Sequence, residues 1–205
     1  QPDLGTSLVL TAIWFGMTFI AGAQIKHLIA FVIIVTIIGS VGWHVGLLED
    51  YQKARLMSFI NPAIDQRGSG YHIVQSRIAI GSGMVTGKGY LHGTQGQLGF
   101  IPENHTDFIF TVAAEEFGFV GAAPLILMLL LWKAIVIMSQ TEDLIGRLTA
   151  AGIICMFLFH TFVNIGMTLG IMPVTGVPLP LLSYGGSSLL VSMMAIGILT
   201  GIGMR

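Results

Sequence analysis

HLIAFVIIVTIIGSVGWHVGLL, residues 27–48, runs for 22 positions without one Asp, Glu, Lys or Arg. A helix that crosses about 30 Å of hydrocarbon needs roughly 20 mainly apolar residues, so this stretch is long enough to span a membrane. It lacks the alternation of a half-buried strand. Inside lipid the backbone must satisfy its own hydrogen bonds, which a continuous helix does. Four further runs meet that length or come close, at about 6–23, 117–138, 148–172 and 183–204. The expected fold is an all-α, polytopic membrane helix bundle with five transmembrane helices.

Composition agrees. Of 205 residues, 54% are hydrophobic and 9% charged, with a mean hydropathy of +0.84, whereas a soluble domain carries about 25% charge. The formal net charge of −1 leaves no basic field to hold phosphates, which excludes nucleic acid as a partner. A single cysteine, Cys155, rules out a disulfide within the chain and reads as a small buried hydrophobe. The chain opens at Gln1 inside a motif-like run, with no leader before the first apolar stretch, and is expected to be part of a longer protein.

Lys26, then Lys133 with Arg147, then Arg205 fall at the ends of alternate spans, and the loop 173–182 has no Lys or Arg. By the positive-inside rule, Lys26, residues 140–146 and the C-terminus are expected in the cytoplasm. The loop after Pro173 and the long segment of about 49–107 then lie outside. That outer loop carries Lys53, Arg55, Arg67, Arg77 and Lys88, and a connection this long is functional or disordered. Residues 71–80 interleave apolar positions with Gln75, Ser76 and Arg77, and 98–110 is rich in aromatic and apolar residues, so an ordered, partly re-entrant cap is expected.

Candidate chemistry gathers at the end of that loop. Asp107, in the run PENHTDFIF (102–110), leads into an apolar helix from about Thr111. It, or Thr106, can cap that helix; equally, a carboxylate beside an apolar wall suits general-base work. Glu115 and Glu116 follow, and eight residues bring Glu115 closer than Glu116 to the side of Asp107. Either can face a cavity or pair with a basic side chain. Asp3 is a helix cap or a second carboxylate. Residues 172–188 hold three prolines among small polar residues, backbone tolerated at membrane depth only where it lines a cavity or is buried in protein. His160 and Asn164 share a helix face and are expected to hydrogen-bond across helices. The histidines show no zinc-ligand spacing, and no nucleotide-binding loop appears.

Five motifs stand in order along nearly the whole chain: QPDLGT (1–6), YHIVQSRIAIGSG (71–83), GKGYLHGTQ (87–95), PENHTDFIF (102–110) and PVTGVPLPLLSYGGSS (173–188). In these the sequence resembles the SEDS family of bacterial cell-wall polymerases. The GKGYLHGTQ form is similar to its elongation (RodA) branch rather than its division (FtsW) branch. The resemblance implies a ten-helix protein of the bacterial cytoplasmic membrane, with this chain as its C-terminal five and the catalytic loop on the outer face. It implies a peptidoglycan glycosyltransferase that polymerises lipid II during cell elongation, with Asp107 as general base and Asp3 and Glu115 as possible further carboxylates. Lys53, Arg55, Arg77 and Lys88 are candidates to meet the pyrophosphate, with a divalent cation such as Mg as the alternative source of charge. The motifs add Gln75, Ser76, Gln95, His105, Thr106, Pro178, Ser183 and Tyr184 as expected substrate contacts. Implied partners are a class B penicillin-binding transpeptidase and other elongation-complex membrane proteins. Two other classes fit the same residues: a lipid II flippase or other transporter, in which the cavity binds without making a bond, and a scaffold in which Asp107 is only a cap.

Overall fold

The computed structural model describes residues 4–45, 53, 57, 59, 69–101, 105–122 and 125–204. Asp3, Arg55 and residues 102–104 of the motif around Asp107 lie outside them. Among the described residues there is no strand, and the helices whose bounds are described are α1 (Leu4–Ile20), α2 (Ile25–Val45), α3 (Ser69–Gly83), α4 (Thr94–Gln97), α5 (Ile109–Ala122), α6 (Leu125–Gln140), α7 (Leu144–Thr168) and α8 (Gly186–Gly203), with residues 53, 57 and 59 helical as well. The all-α class is as expected. Three of these helices, α2, α7 and α8, are each long and apolar enough to cross a membrane, and α1 and part of α6 are shorter apolar helices.

The central element is α7, which packs on α1, α6 and α8 along its length and meets α3 and α5. It starts at Leu144, before the expected 148, because the Asp143 carboxylate accepts from the Ile145 and Gly146 amides and caps the first turn. Small residues set its approach to α1. A Cβ on Gly16 would lie 2.0 Å from Cys155 Sγ, and one on Gly152 would lie 3.1 Å from Met17 Sδ. Such positions let membrane helices pack backbone to backbone, so Cys155 is a packing residue here. Ala134, Ala150, Ile154 and Leu199 join α6, α7 and α8 in one buried cluster. Val9, Val163 and Val177 join α1 and α7 to the connection before α8. In contrast, among the described residues α2 packs on α1 alone.

The expected span at 117–138 is not one helix. It holds the end of α5, which breaks at Gly118 (φ 68, ψ −172), and most of α6. That backbone conformation is open essentially to glycine alone. The cause is a neighbouring segment laid against the helix: the Lys88 and Gly89 amides donate to the carbonyls of Glu115 and Glu116, at 3.0 and 2.9 Å. A Cβ on Gly118 would come 2.3 Å from the Gly87 amide nitrogen. Within the expected outer loop, α3 packs on α5. Ser76 and Thr111 hydrogen-bond through their hydroxyls there, both fully buried. Ala79, Ile101 and Phe108 form the small core beneath.

The α3–α5 contact is close enough to be tested by one methyl group. A Cβ on Gly83 would lie 2.1 Å from the Ala114 carbonyl oxygen, whereas one on Gly81, two residues away on the same helix, meets nothing within 4 Å. In the full-length protein in detergent, Gly83→Ala is expected to lower stability by about 2 kcal/mol or more. Gly81→Ala should leave it within about 0.5 kcal/mol or raise it. Thermal unfolding of the two variants side by side checks this.

Candidate active site

Glu115 has no exposed surface, and a buried carboxylate is stable only with compensating partners. The Lys88 ammonium lies 2.6 Å from Oε1. The Thr94 amide and hydroxyl donate to the same oxygen at 2.9 and 3.1 Å, the Gln95 amide reaches both oxygens at 3.1 Å, and the Gly96 amide reaches Oε2 at 3.3 Å. Lys88 also donates to the Thr94 hydroxyl at 2.9 Å. The carboxylate therefore terminates the single turn of α4 and ties it to α5. Burial alone would raise the Glu115 carboxyl, but the Lys88 ammonium and the bonds from Gln95, Thr94 and Gly96 outweigh it and hold its pKa below the ordinary 4.5. Gly93 leaves room for this, since a Cβ there would come 3.2 Å from Oε2.

The second assembly surrounds Asp107. Three consecutive carbonyls are taken by the opposite wall: His105 O accepts from the Tyr184 amide at 2.8 Å, Thr106 O from the Ser183 hydroxyl at 2.7 Å, and Asp107 O from Asn164 Nδ2 at 2.8 Å. Ser183 Oγ also accepts from the Leu179 amide at 2.7 Å, and Asn164 Nδ2 also donates to Val177 O at 2.8 Å. These bonds hold residues 105–107 against residues 177–184. The half-buried Asp107 carboxylate lies beside Gly176, where a Cβ would be 3.5 Å from Oδ2. Next to it opens a cavity of about 640 Å³, lined by His105 and Ile109 on one side and by residues 181–186 with Leu189 on the other. Asp107 is not among its lining residues. Tyr184 is 82% exposed at its mouth, and Leu181 adopts φ 65, a left-handed conformation rare for a non-glycine residue.

The expected site residues thus divide between two places. His105, Thr106, Asp107, Ser183 and Tyr184 are brought together, with Pro178 half-buried beside Val177. Lys88 and Gln95 stand with Glu115 instead. Arg77 is committed elsewhere: its Nε and Nη2 donate to the Leu169 and Gly170 carbonyls at 2.9 and 2.8 Å, closing the C-terminus of α7. Ser76 is occupied with Thr111. Gln75 and Lys53 are half-buried. Among the described residues no three His, Cys, Asp or Glu side chains come together to hold a metal ion. His160 bonds its own helix, Nδ1 to the Met156 carbonyl at 2.9 Å, rather than a neighbour, and Asn164 bonds not to another helix but to the carbonyls of Asp107 and Val177 in non-helical segments. The sequence reading passed over Thr94, Thr111 and Gly176. The one available signal was Gly176 within a proline-rich stretch, and the contacts of Thr94 and Thr111 arise only from tertiary packing.

Because Glu115 has a lowered native pKa, its contribution to stability is complete above 4.5 and is lost as the pH falls below that toward the native value. Glu115→Gln removes the charge and turns an NH₂ group toward amide donors. It is expected to lower the apparent Tm by several degrees at pH 7, and the gap from wild type should narrow as pH drops through and below about 4.5. Thermal scans from pH 7 to 3 measure both effects.

The family model FTSW_RODA_SPOVE, described as cell cycle protein, matches residues 1–205. Peptidoglycan glycosyltransferase MrdB of Escherichia coli K12 is 46% identical over 204 residues, covering 98% of this chain and 55% of that protein. Peptidoglycan glycosyltransferase RodA of Treponema pallidum is 52% identical over 163 residues, covering 78% of this chain and 38% of that one. The chain thus spans about half the length, or less, of these relatives. A chain solved in work on the structural coordination of polymerization and crosslinking by a peptidoglycan synthase complex superposes with a TM-score of 0.78 at 32% identity, over 100% of this chain and 56% of that one. With helices, motif order and full-length match in agreement, the chain belongs to the FtsW/RodA/SpoVE family of cell cycle proteins.

Proposed function

We propose that the protein containing this chain is a peptidoglycan glycosyltransferase that polymerises lipid II into β-1,4 glycan, with Asp107 as general base. The observation that carries the reading is the similarity to proteins named peptidoglycan glycosyltransferase over essentially the whole chain. The site chemistry supports it. A half-buried carboxylate stands on a segment fixed at three carbonyls, beside an open cavity with a polar and aromatic mouth. A base used in one geometry must be held in it before substrate arrives.

In the proposed step the 4-hydroxyl of the acceptor sugar attacks the anomeric carbon of the donor. The C–O bond to the undecaprenyl pyrophosphate breaks with inversion from α to β, and the hydroxyl proton passes to the Asp107 carboxylate. The leaving pyrophosphate takes the bonding pair and needs positive charge. Of the cationic candidates, Lys88 and Arg77 have prior structural engagements, so either would serve by exchanging partners. Asp3 and Glu115 rank below Asp107, Glu115 because its oxygens already serve α4.

We further assign the protein to the elongation branch, on the GKGYLHGTQ form of residues 87–95 and on the similarity to MrdB and RodA. Its place is the bacterial cytoplasmic membrane, with the Asp107 end of the bundle on the outer face. The partner is a class B penicillin-binding transpeptidase, alongside other elongation-complex proteins. The similarity to a chain from a peptidoglycan synthase complex supports that pairing.

The test is glycan polymerisation from purified lipid II by the full-length protein with its transpeptidase. Asp107→Asn keeps the shape and removes the base, and is expected to lower the rate by at least 100-fold with lipid II binding retained. Undiminished polymer would sink the general-base role, and lipid II transport without any polymer from wild type would favour a flippase.

A further inference from the structure

We infer that Asn164 is a positioning residue for the proposed base, fixing Asp107 to the facing wall through its backbone carbonyl. The inference rests on the general-base reading above and adds to it a residue outside the site motifs. Asn164 sits on α7 with no exposed surface. Its single amide nitrogen donates both hydrogens across the gap between two irregular segments, to Asp107 O and to Val177 O, each at 2.8 Å. Its Oδ1 is buried and has no hydrogen-bond partner among the described residues. The orientation of the amide is therefore set by the two carbonyls: turning it over would set an oxygen against both of them.

The bonds at His105 and Thr106 run between residues 105–106 and residues 183–184 only. Asn164 also ties both segments to the long helix α7, through Asp107 O on one side and Val177 O on the other. Val163, beside it in sequence, is packed in the buried cluster with Val9 and Val177, so the amide stands on a rigid footing. A carbonyl held from such a base fixes the position of its own Cα and hence the reach of the Asp107 carboxylate, which lies beside Gly176 on the other wall. Displacement of a reacting group by about 1 Å is enough to cost roughly 100-fold in rate. A group that acts in this way changes turnover and leaves substrate affinity alone.

The experiment measures kcat and KM for purified lipid II with the full-length protein and its transpeptidase, per folded molecule. Asn164→Asp keeps the size and loses both donors. It is expected to lower kcat by about 10- to 100-fold with KM within about threefold of wild type. If that variant does not fold, Asn164→Ser, which keeps one donor in a smaller volume, is expected to lower kcat by about 3- to 30-fold with the same constant KM. Wild-type kcat per folded molecule in the folding variant, or a raised KM with kcat kept, overturns the inference. Asp107→Asn is run in parallel to separate the two readings. If it is inactive while the Asn164 variant turns over normally, only the positioning role falls; if it turns over normally, the base role falls and the positioning role with it.

Discussion

Backbone that leaves a helix must find partners for its carbonyls and amides wherever water cannot reach them, and the irregular segments around Glu115 and Asp107 are built around that constraint. The answer is the same each time: a polar side chain is lent to the backbone of another segment. Glu115 takes the amides of residues 94–96. Arg77 takes the carbonyls of Leu169 and Gly170, just past the end of α7. Asn164 and Ser183 take the carbonyls of residues 106, 107 and 177. The polar residues that crowd the motifs are thus in good part the scaffold of the cavity rather than its lining. Loss of any one strands a buried group on the other side, which costs more than the bond itself contributes.

Under the proposed function the leaving pyrophosphate needs positive charge. Lys88 and Arg77 are held by partners inside the protein, so the charge of these two side chains is already in use. Glu115 keeps its charge despite complete burial because the opposing donors are fixed in number and place. The loop from residue 84 to residue 97 is accordingly anchored at its middle, and its shape follows from α5 as much as from its own sequence.

The helices were legible in the sequence because unbroken apolar runs carry their own length scale. Their ends were less so: Asp143 is a readable cap, yet the break at Gly118 comes from residues 87–89 pressing on α5, a contact some 30 residues away in sequence that no local pattern encodes. The site was legible as a set of motifs but not as a geometry. Nothing in the order of residues separates Ser183, which bridges two walls, from Arg77, which closes a helix, since both lie in polar motifs. Asn164 was visible as a lone amide in an apolar span, and its pairing with His160 suggested one shared role. The structure gives them different ones, because an imidazole at that position finds the carbonyl of its own helix four residues back.

The length of α7 sets a depth. Its 25 residues, at 1.5 Å each, extend for about 37 Å, somewhat more than the hydrocarbon layer of about 30 Å. Asn164 stands four residues from its end, about 6 Å along the axis, so in the proposed membrane setting, with α7 centred on the hydrocarbon layer, the carbonyl it holds lies close to the plane where acyl chains give way to head groups. Under the proposed function, a substrate whose phosphates are fixed in that plane by a lipid tail needs only to drift sideways to come level with Asp107, and the search for the site becomes two-dimensional. On that reading α7 is a ruler, and the altitude of the chemistry above the bilayer centre is written in the number of residues between Asp143 and Asn164.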